Sequence, residues 1–151
     1  LLAEVELHAP ELLAEIGVVD FNPDVHRRLK ARGIHVLYGD ISQRDTLVHA
    51  GIGNAEVLVC SVPDSLLKGS TNEKLVQQLR ELNPTATIIA PAELLSDVDR
   101  LINAGANHVL VPRLGDGREL LSALQAWEKG TLDEARAALI SRLAARKEVL
   151  H

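Results

Sequence analysis

Short apolar runs alternate along the first three-quarters of the chain with stretches whose apolar positions recur at helical spacing. The runs predict strands over Ile16 to Asp20, Ile34 to Tyr38, Val57 to Ser61, Thr87 to Ala90 and His108 to Val111. Most are near-continuous in Val, Ile and Leu, as strands covered on both faces are. Between them, Asp24 to Arg32, Arg44 to Ala50, Thr71 to Leu82 and Ser96 to Ala104 predict amphipathic helices. The third helix carries a start signal in Ser70 with Glu73, a capping box, then an apolar stripe of Leu75, Leu79 and Leu82, and a stop at Asn83-Pro84. Repeats of this length need right-handed crossovers, so the predicted fold is α/β, a doubly wound parallel sheet.

After Pro112 the pattern changes. Arg113 to Gly117 has two glycines and no apolar periodicity and predicts a loop; helices follow over Arg118 to Lys129 and, past a break at Gly130, Asp133 to about Lys147. Thr131 is placed as the N-cap of the last helix, with Glu134 in the capping-box position. Leu132, Ala135, Leu139 and Leu143 give that helix an apolar face. Such a face suits a cover for the sheet's flank or a dimerisation arm. The organisation is therefore a domain over residues 1–113 and a C-terminal helical extension over residues 114–151. Leu1 falls in what reads as the middle of a helix. The first strand of the sheet and its glycine turn are accordingly expected to be missing from the sequence, which would expose the edges of neighbouring strands.

Composition narrows the classes. The chain is 46% hydrophobic and 25% charged over 151 residues, enough for one ordinary core built from Leu, Val, Ile and Ala, since it holds one Trp, one Tyr and one Phe. A formal charge of -5 and so few aromatics argue against nucleic-acid binding. No apolar run reaches the roughly 18 residues of a membrane span. Cys60 is alone, so no internal disulfide forms; it sits in a strand and reads as an inert core thiol.

The first two strands each lead to an acid, Asp20 and Asp40. In open parallel sheets ligands bind at the strands' carboxyl ends, where an acid can hold a ribose diol. Asp20 can equally start an Asx turn into Asn22-Pro23, and Asp40 can cap Ile41 and Ser42. Ser61-Val62-Pro63-Asp64 leaves the third strand at the same kind of edge. Gly51-Ile52-Gly53 precedes a strand where a phosphate loop would follow one, so Gly51 reads as the cap of the helix before it. His8, His26, His35, His49, His108 and His151 share no metal-binding spacing, and no Gly-x-Ser-x-Gly elbow or other proton-transfer set is apparent. No catalytic and no metal residue is therefore assigned, and binding is favoured over turnover.

In order, Val18-Val19-Asp20-Phe21-Asn22-Pro23, Tyr38-Gly39-Asp40-Ile41-Ser42, Asp45-Thr46-Leu47-Val48-His49-Ala50-Gly51-Ile52, Ala55-Glu56-Val57-Leu58-Val59-Cys60-Ser61-Val62-Pro63-Asp64, Asn72 and Gly105-Ala106-Asn107-His108-Val109-Leu110-Val111-Pro112-Arg113 form a familiar series. Over about residues 15–113 the chain resembles the TrkA-N, or RCK N-terminal, domain. Within that family it looks most like the cytoplasmic domain of Kef-type monovalent cation:proton antiporters, where a stretch such as Leu67-Lys68-Gly69 is typical. The resemblance implies a Rossmann-like, non-enzymatic regulatory domain that binds NAD(H) or an adenine nucleotide (AMP or ATP). It implies a homodimer, formed through that domain or the C-terminal helices, and an N-terminal transmembrane antiporter domain that places it on the cytoplasmic side of the bacterial inner membrane. Asp20 matches the family's ribose-binding acid, Asp40 and Ile41 its adenine-side contacts, Ser61 and Val62 its contacts near the phosphates or distal ribose, and Asn72 its Asn at the next helix start. Where many members carry an Arg after the fifth strand, this chain has Pro91-Ala92-Glu93 and no cation for a phosphate. The alternatives are an NAD-dependent oxidoreductase fragment and a ligand-free dimerisation module.

Overall fold

The computed structural model describes residues 1–67, 69–144, 146, 148 and 149, so Lys68 of the Leu67-Lys68-Gly69 stretch, Lys147 and His151 lie outside the described residues. The chain divides into two compact units, residues 1–39 with 117–151, and residues 40–116.

The first unit opens with α1 (Leu2–His8) and a 3-10 turn (Pro10–Glu15), then β1 (Gly17–Asp20), α2 (Pro23–Ala31) and β2 (His35–Tyr38). The two strands pair in parallel, with Gly17 opposite His35 and Asp20 opposite Tyr38. The helix between them starts where it does because Asn22 Oδ1 accepts the Asp24 N–H at 2.9 Å, while Pro23 fills a position whose N–H has no helical partner. Val25, Leu29 and Ile34 form the buried core, with Leu2, Leu13, Val18, Val36 and Val149 packed against it. The end of the chain is tied to this unit. Arg28 donates to the Val149 carbonyl at 2.8 Å, Arg32 to the Glu148 carbonyl at 2.9 Å, and Arg146 pairs with Glu4 and Glu148.

The second unit contains α3 (Arg44–His49), β3 (Val57–Val59), α4 (Asn72–Leu82), β4 (Thr87–Pro91), α5 (Asp97–Ala104) and β5 (His108–Leu110). Its sheet is parallel in the order β3-β4-β5. Leu58, Ile88 and Ala90 on the strands are buried with Leu75, Val76 and Leu79 of α4 and Leu101 of α5. The parallel α/β architecture expected from the sequence is therefore present, its strands forming a two-stranded and a three-stranded sheet.

One helix start differs from the expectation. The N-cap of α4 is Thr71, whose hydroxyl accepts the Lys74 N–H at 3.2 Å, so Ser70 and Glu73 do not form the capping box. Asp64 decides this, because its carboxylate takes the Asn72 N–H at 2.6 Å and satisfies one of the helix's orphan donors from outside the helix. Gly51 behaves as expected, adopting φ +75° directly after α3.

The Asn83-Pro84 stop is more than a stop. Asn83, buried, donates to the Ile52 and Ala55 carbonyls at 2.8 and 2.9 Å and accepts from the Ala86 N–H at 2.9 Å. Arg80 reaches the carbonyls of Pro84, Ala86 and Gly105 at 2.8 Å each, and the Asn107 side-chain oxygen at 2.8 Å. That oxygen also accepts the Ile88 N–H at 2.9 Å. Gly105 has φ +114°, and a Cβ there would come within 3.0 Å of Arg80 Cγ, so the clamp needs glycine. The amino-terminal end of β4 is thereby fixed by side chains from α4 and from the loop before β5.

The expected loop over Arg113 to Gly117 is corrected. It is the first turn and a half of α6 (Pro112–Glu128), which is followed by α7 (Leu132–Ala144). Pro112 supplies a preset helical φ at the first position, and two glycines cost about 1 kcal/mol each against Ala, too little to stop a helix propagated from the good formers after Arg118. The Thr131 hydroxyl donates back to the Ala126 carbonyl at 3.3 Å. No described residue of α6 or α7 is buried.

Asn83→Ala should lower the free energy of unfolding in urea by about 3 kcal/mol, because two carbonyls and an N–H lose a buried partner together. Exposed Asn54→Ala should change it by less than about 0.5 kcal/mol.

Candidate functional site

Parallel pairing gathers the carboxyl ends of each sheet at one edge, and the residues expected to bind a nucleotide lie there in two groups. In the first unit Asp20 ends β1, with Tyr38 beside it at the end of β2. Asp20 Oδ1 accepts the Asn22 N–H at 2.7 Å, an Asx turn that leads straight into α2. Its second oxygen has no hydrogen-bond partner among the described residues. The backbone carbonyl of Asp20 accepts the Gly39 N–H at 3.2 Å, continuing the pairing one residue beyond β2.

The second unit holds Asp40, Ile41, Ser61, Val62 and Asn72. Asp40 repeats the local device of Asp20, its Oδ1 accepting the Ser42 N–H at 2.9 Å. That bond, with smaller help from the Ser42 and Gln43 side chains, holds the Asp40 carboxyl below the usual carboxylate range. Ile41 is half-buried and packs against the core cluster of this unit, so its first role is packing. Ser61 is exposed at the exit of β3. Val62 and Asn72 are brought together, the Asn72 side-chain N–H donating to the Val62 carbonyl at 2.9 Å. Asn72 is almost fully buried, and its Oδ1 accepts no hydrogen bond among the described residues. An idle buried acceptor costs free energy unless a ligand, a water or another chain segment supplies a donor.

Three residues here were not singled out by sequence reasoning. Asp97 and Arg100 lie one helical turn apart on α5 and form an ion pair, beside Asp64, Thr71 and Glu73 in a small cleft. The Arg100 guanidinium, helped by the Leu94 N–H, holds the Asp97 carboxyl below its usual range. An i, i+3 acid–base pair at a helix start is the signal that could have pointed to it. Glu93, noted only for not being a cation, accepts from the Ser65 hydroxyl at 2.8 Å and the Ser65 N–H at 3.3 Å. The carboxyl end of this sheet is therefore rich in acids, with Arg100 already committed to one of them.

Cys60 is buried and unbonded to sulfur, and burial pushes its thiol up to about 12, which leaves no thiolate at neutral pH. Among the described residues no cluster of three His, Cys, Asp or Glu is placed to hold a metal ion, and no helix is long and apolar enough to cross a membrane.

Residues 5–112 match the TrkA-N domain. The glutathione-regulated potassium-efflux system protein KefC of Escherichia coli O139:H28 (strain E24377A / ETEC) is 36% identical over 88 residues, which are 58% of this chain and 14% of that relative. The chain thus corresponds to a small part of the relative's length. Among solved structures, the TrkA-N domain of inner membrane protein ybaL from Escherichia coli superposes with a TM-score of 0.66 at 23% identity, covering 78% of this chain and 86% of that one. The GsuK channel bound to NAD gives a TM-score of 0.55 at 22% identity over 78% of this chain and 24% of that one. At such identities these two likenesses establish the fold, which is Rossmann-like.

Thiol reagents should leave Cys60 unlabelled in the native protein and modify it only after unfolding, as followed by mass spectrometry. Asp97 has a folded-state pKa below its unfolded one, so its ion pair stabilises the protein above the usual carboxylate range, and the gain disappears as pH falls through the folded value. Asp97→Asn should therefore be less stable than the wild type near neutral pH, with the gap closing as pH falls from about 5 toward 2 in denaturant titrations.

Proposed function

The chain belongs to the TrkA-N domain family, and from that premise we propose that it is the cytoplasmic regulatory domain of a potassium or other monovalent cation:proton antiporter, sensing NAD(H) or an adenine nucleotide and gating transport through domain pairing. The observation that carries the ligand reading is Asp20, whose second carboxylate oxygen is unspent at the carboxyl end of a parallel strand pair. Such an oxygen accepts the hydroxyls of a ribose. Asp40 and Ile41 would take the adenine side, and Ser61, Val62 and Asn72 the distal ribose or phosphates, with the idle Asn72 oxygen as the acceptor for a donor on the ligand. The fit is partial. Ribose and base have acceptors to meet, whereas Glu93, Asp64 and Glu73 around the Asp97–Arg100 pair would repel a phosphate.

The transport reading rests on the likeness to KefC, named as a glutathione-regulated potassium-efflux protein, and on the resemblance of the motifs. A nucleotide that binds better to one arrangement of paired domains shifts the population toward it, and an attached membrane domain responds. Pairing is supported by α6 and α7, which present Leu120, Leu121, Leu124 and Trp127, and Leu132, Leu139, Ile140 and Leu143, all exposed. A monomer rarely leaves so much apolar surface uncovered.

A second reading, a dimerisation module without ligand, is favoured by one observation: Asp20 and Asp40 both close turns of their own backbone, as purely structural acids do. Titration calorimetry separates the two. NADH, AMP or ATP should bind, and Asp20→Ala should weaken the tightest of them about tenfold, roughly the loss of one charged hydrogen bond. No heat from any of the three would leave the ligand-free module. In light scattering, dimers that respond to nucleotide support the sensor, and dimers indifferent to it support the scaffold.

A further inference from the structure

Aromatic side chains usually dominate a core. Here the single Phe, Tyr and Trp are all exposed, at 61%, 59% and 69%, and two of the three stand at the carboxyl edge of β1 and β2. Phe21 follows Asp20 directly, and Tyr38 is the last residue of β2, in register with Asp20. Residues in register on parallel strands project to the same face, and the strands lie about 4.8 Å apart. The Tyr38 ring and the Asp20 carboxylate are thus side by side at the same end of the pair. On that face Val18 and Val36, two residues earlier on each strand, pack into the core with Val25 and Leu29 of α2. At the last rung the covering stops, and the ring emerges into solvent.

Its orientation is nonetheless held. His26, on the first turn of α2, meets Tyr38 edge to face, with ring centroids 6.2 Å apart and planes at 89°. A T-shaped contact of this kind holds one ring edge-on to the other and leaves much of the aromatic surface open.

We propose that Tyr38, positioned by His26, is the stacking platform for a purine base whose ribose is held by Asp20. This rests on the nucleotide reading and sharpens it, since it names the part of the ligand that the first unit selects and a residue that reads it. An aromatic face accepts any flat base, a carboxylate oxygen accepts the ribose hydroxyls, and neither requires a phosphate. Affinity at this edge then comes from stacking and from the diol.

The experiment uses the whole chain with AMP as probe and ribose 5-phosphate as control. Because the protein has a single Tyr, its ring protons give one identifiable set of signals in a proton NMR spectrum. AMP should move that set upfield through the ring current of the base, and ribose 5-phosphate should not. Tyr38→Ala should weaken AMP binding about tenfold by calorimetry, the usual cost of losing one base–aromatic stack. Tyr38→Phe should restore affinity to within about twofold of wild type. The Tyr38 side chain is exposed, and circular dichroism of each variant checks that the fold is kept. If AMP binds with the Tyr38 signals unmoved and Tyr38→Ala binds as tightly as wild type, the platform is overturned while nucleotide binding stands. If AMP does not bind the wild type, the platform is overturned, and if NADH and ATP give no heat either, so is the nucleotide reading.

Discussion

Parallel strand pairing is the constraint from which the rest of this structure follows. Two strands can run side by side in the same direction only if the chain returns across the sheet between them, and the cheapest return is a helix packed on one face. The apolar stripes of α2, α4 and α5 satisfy that requirement, burying Leu29, Leu79 and Leu101. The same constraint sends every strand's carboxyl end to one edge of its sheet. Asp20 and Tyr38 meet at the last rung of one sheet, while the exits of β3 and β4 meet at the other, where Ser65 reaches Glu93.

The two ends of the second unit's sheet spend their polar groups differently. At the amino-terminal end Arg80, Asn83 and Asn107 use their side-chain donors and acceptors on backbone groups of neighbouring segments. That is how buried polar groups stabilise a fold, each removing an orphan from a place water cannot reach. At the carboxyl-terminal end Asn72 keeps an acceptor idle, and several acids crowd one another. In the first unit, Asp20 likewise uses one oxygen for its turn and leaves the other available. In open α/β sheets generally, the carboxyl-terminal edge is where ligands bind.

Most of the architecture was legible from residue types. Continuous Val, Ile and Leu located the strands to within one or two residues, but the cover on both faces that such runs predict is not met in β3 and β5, where Val57, Val59 and Leu110 are exposed. Misreadings arose where a distant partner decided the outcome. Ser70 and Glu73 hold every local feature of a capping box, but Asp64, eight residues before Asn72, took the donor and moved the cap to Thr71. Gly115 and Gly117 looked like a loop, yet lie within α6, where Pro112 sets the start and the residues beyond carry the helix on.

The sequence by itself determined the class of fold, the order of strands and helices, the inert burial of Cys60 and the placing of acids after the first two strands, because each depends on local hydrophobic period or on neighbours a few residues away. Only the tertiary structure decided what those acids do. Asp20 and Asp40 each give one oxygen to a turn, Asn72 is buried with an acceptor unspent, Glu93 holds Ser65, and Tyr38 stands exposed against His26 beside Asp20. These outcomes turn on which groups from remote parts of the chain arrive within hydrogen-bonding distance, and sequence spacing carries no record of that.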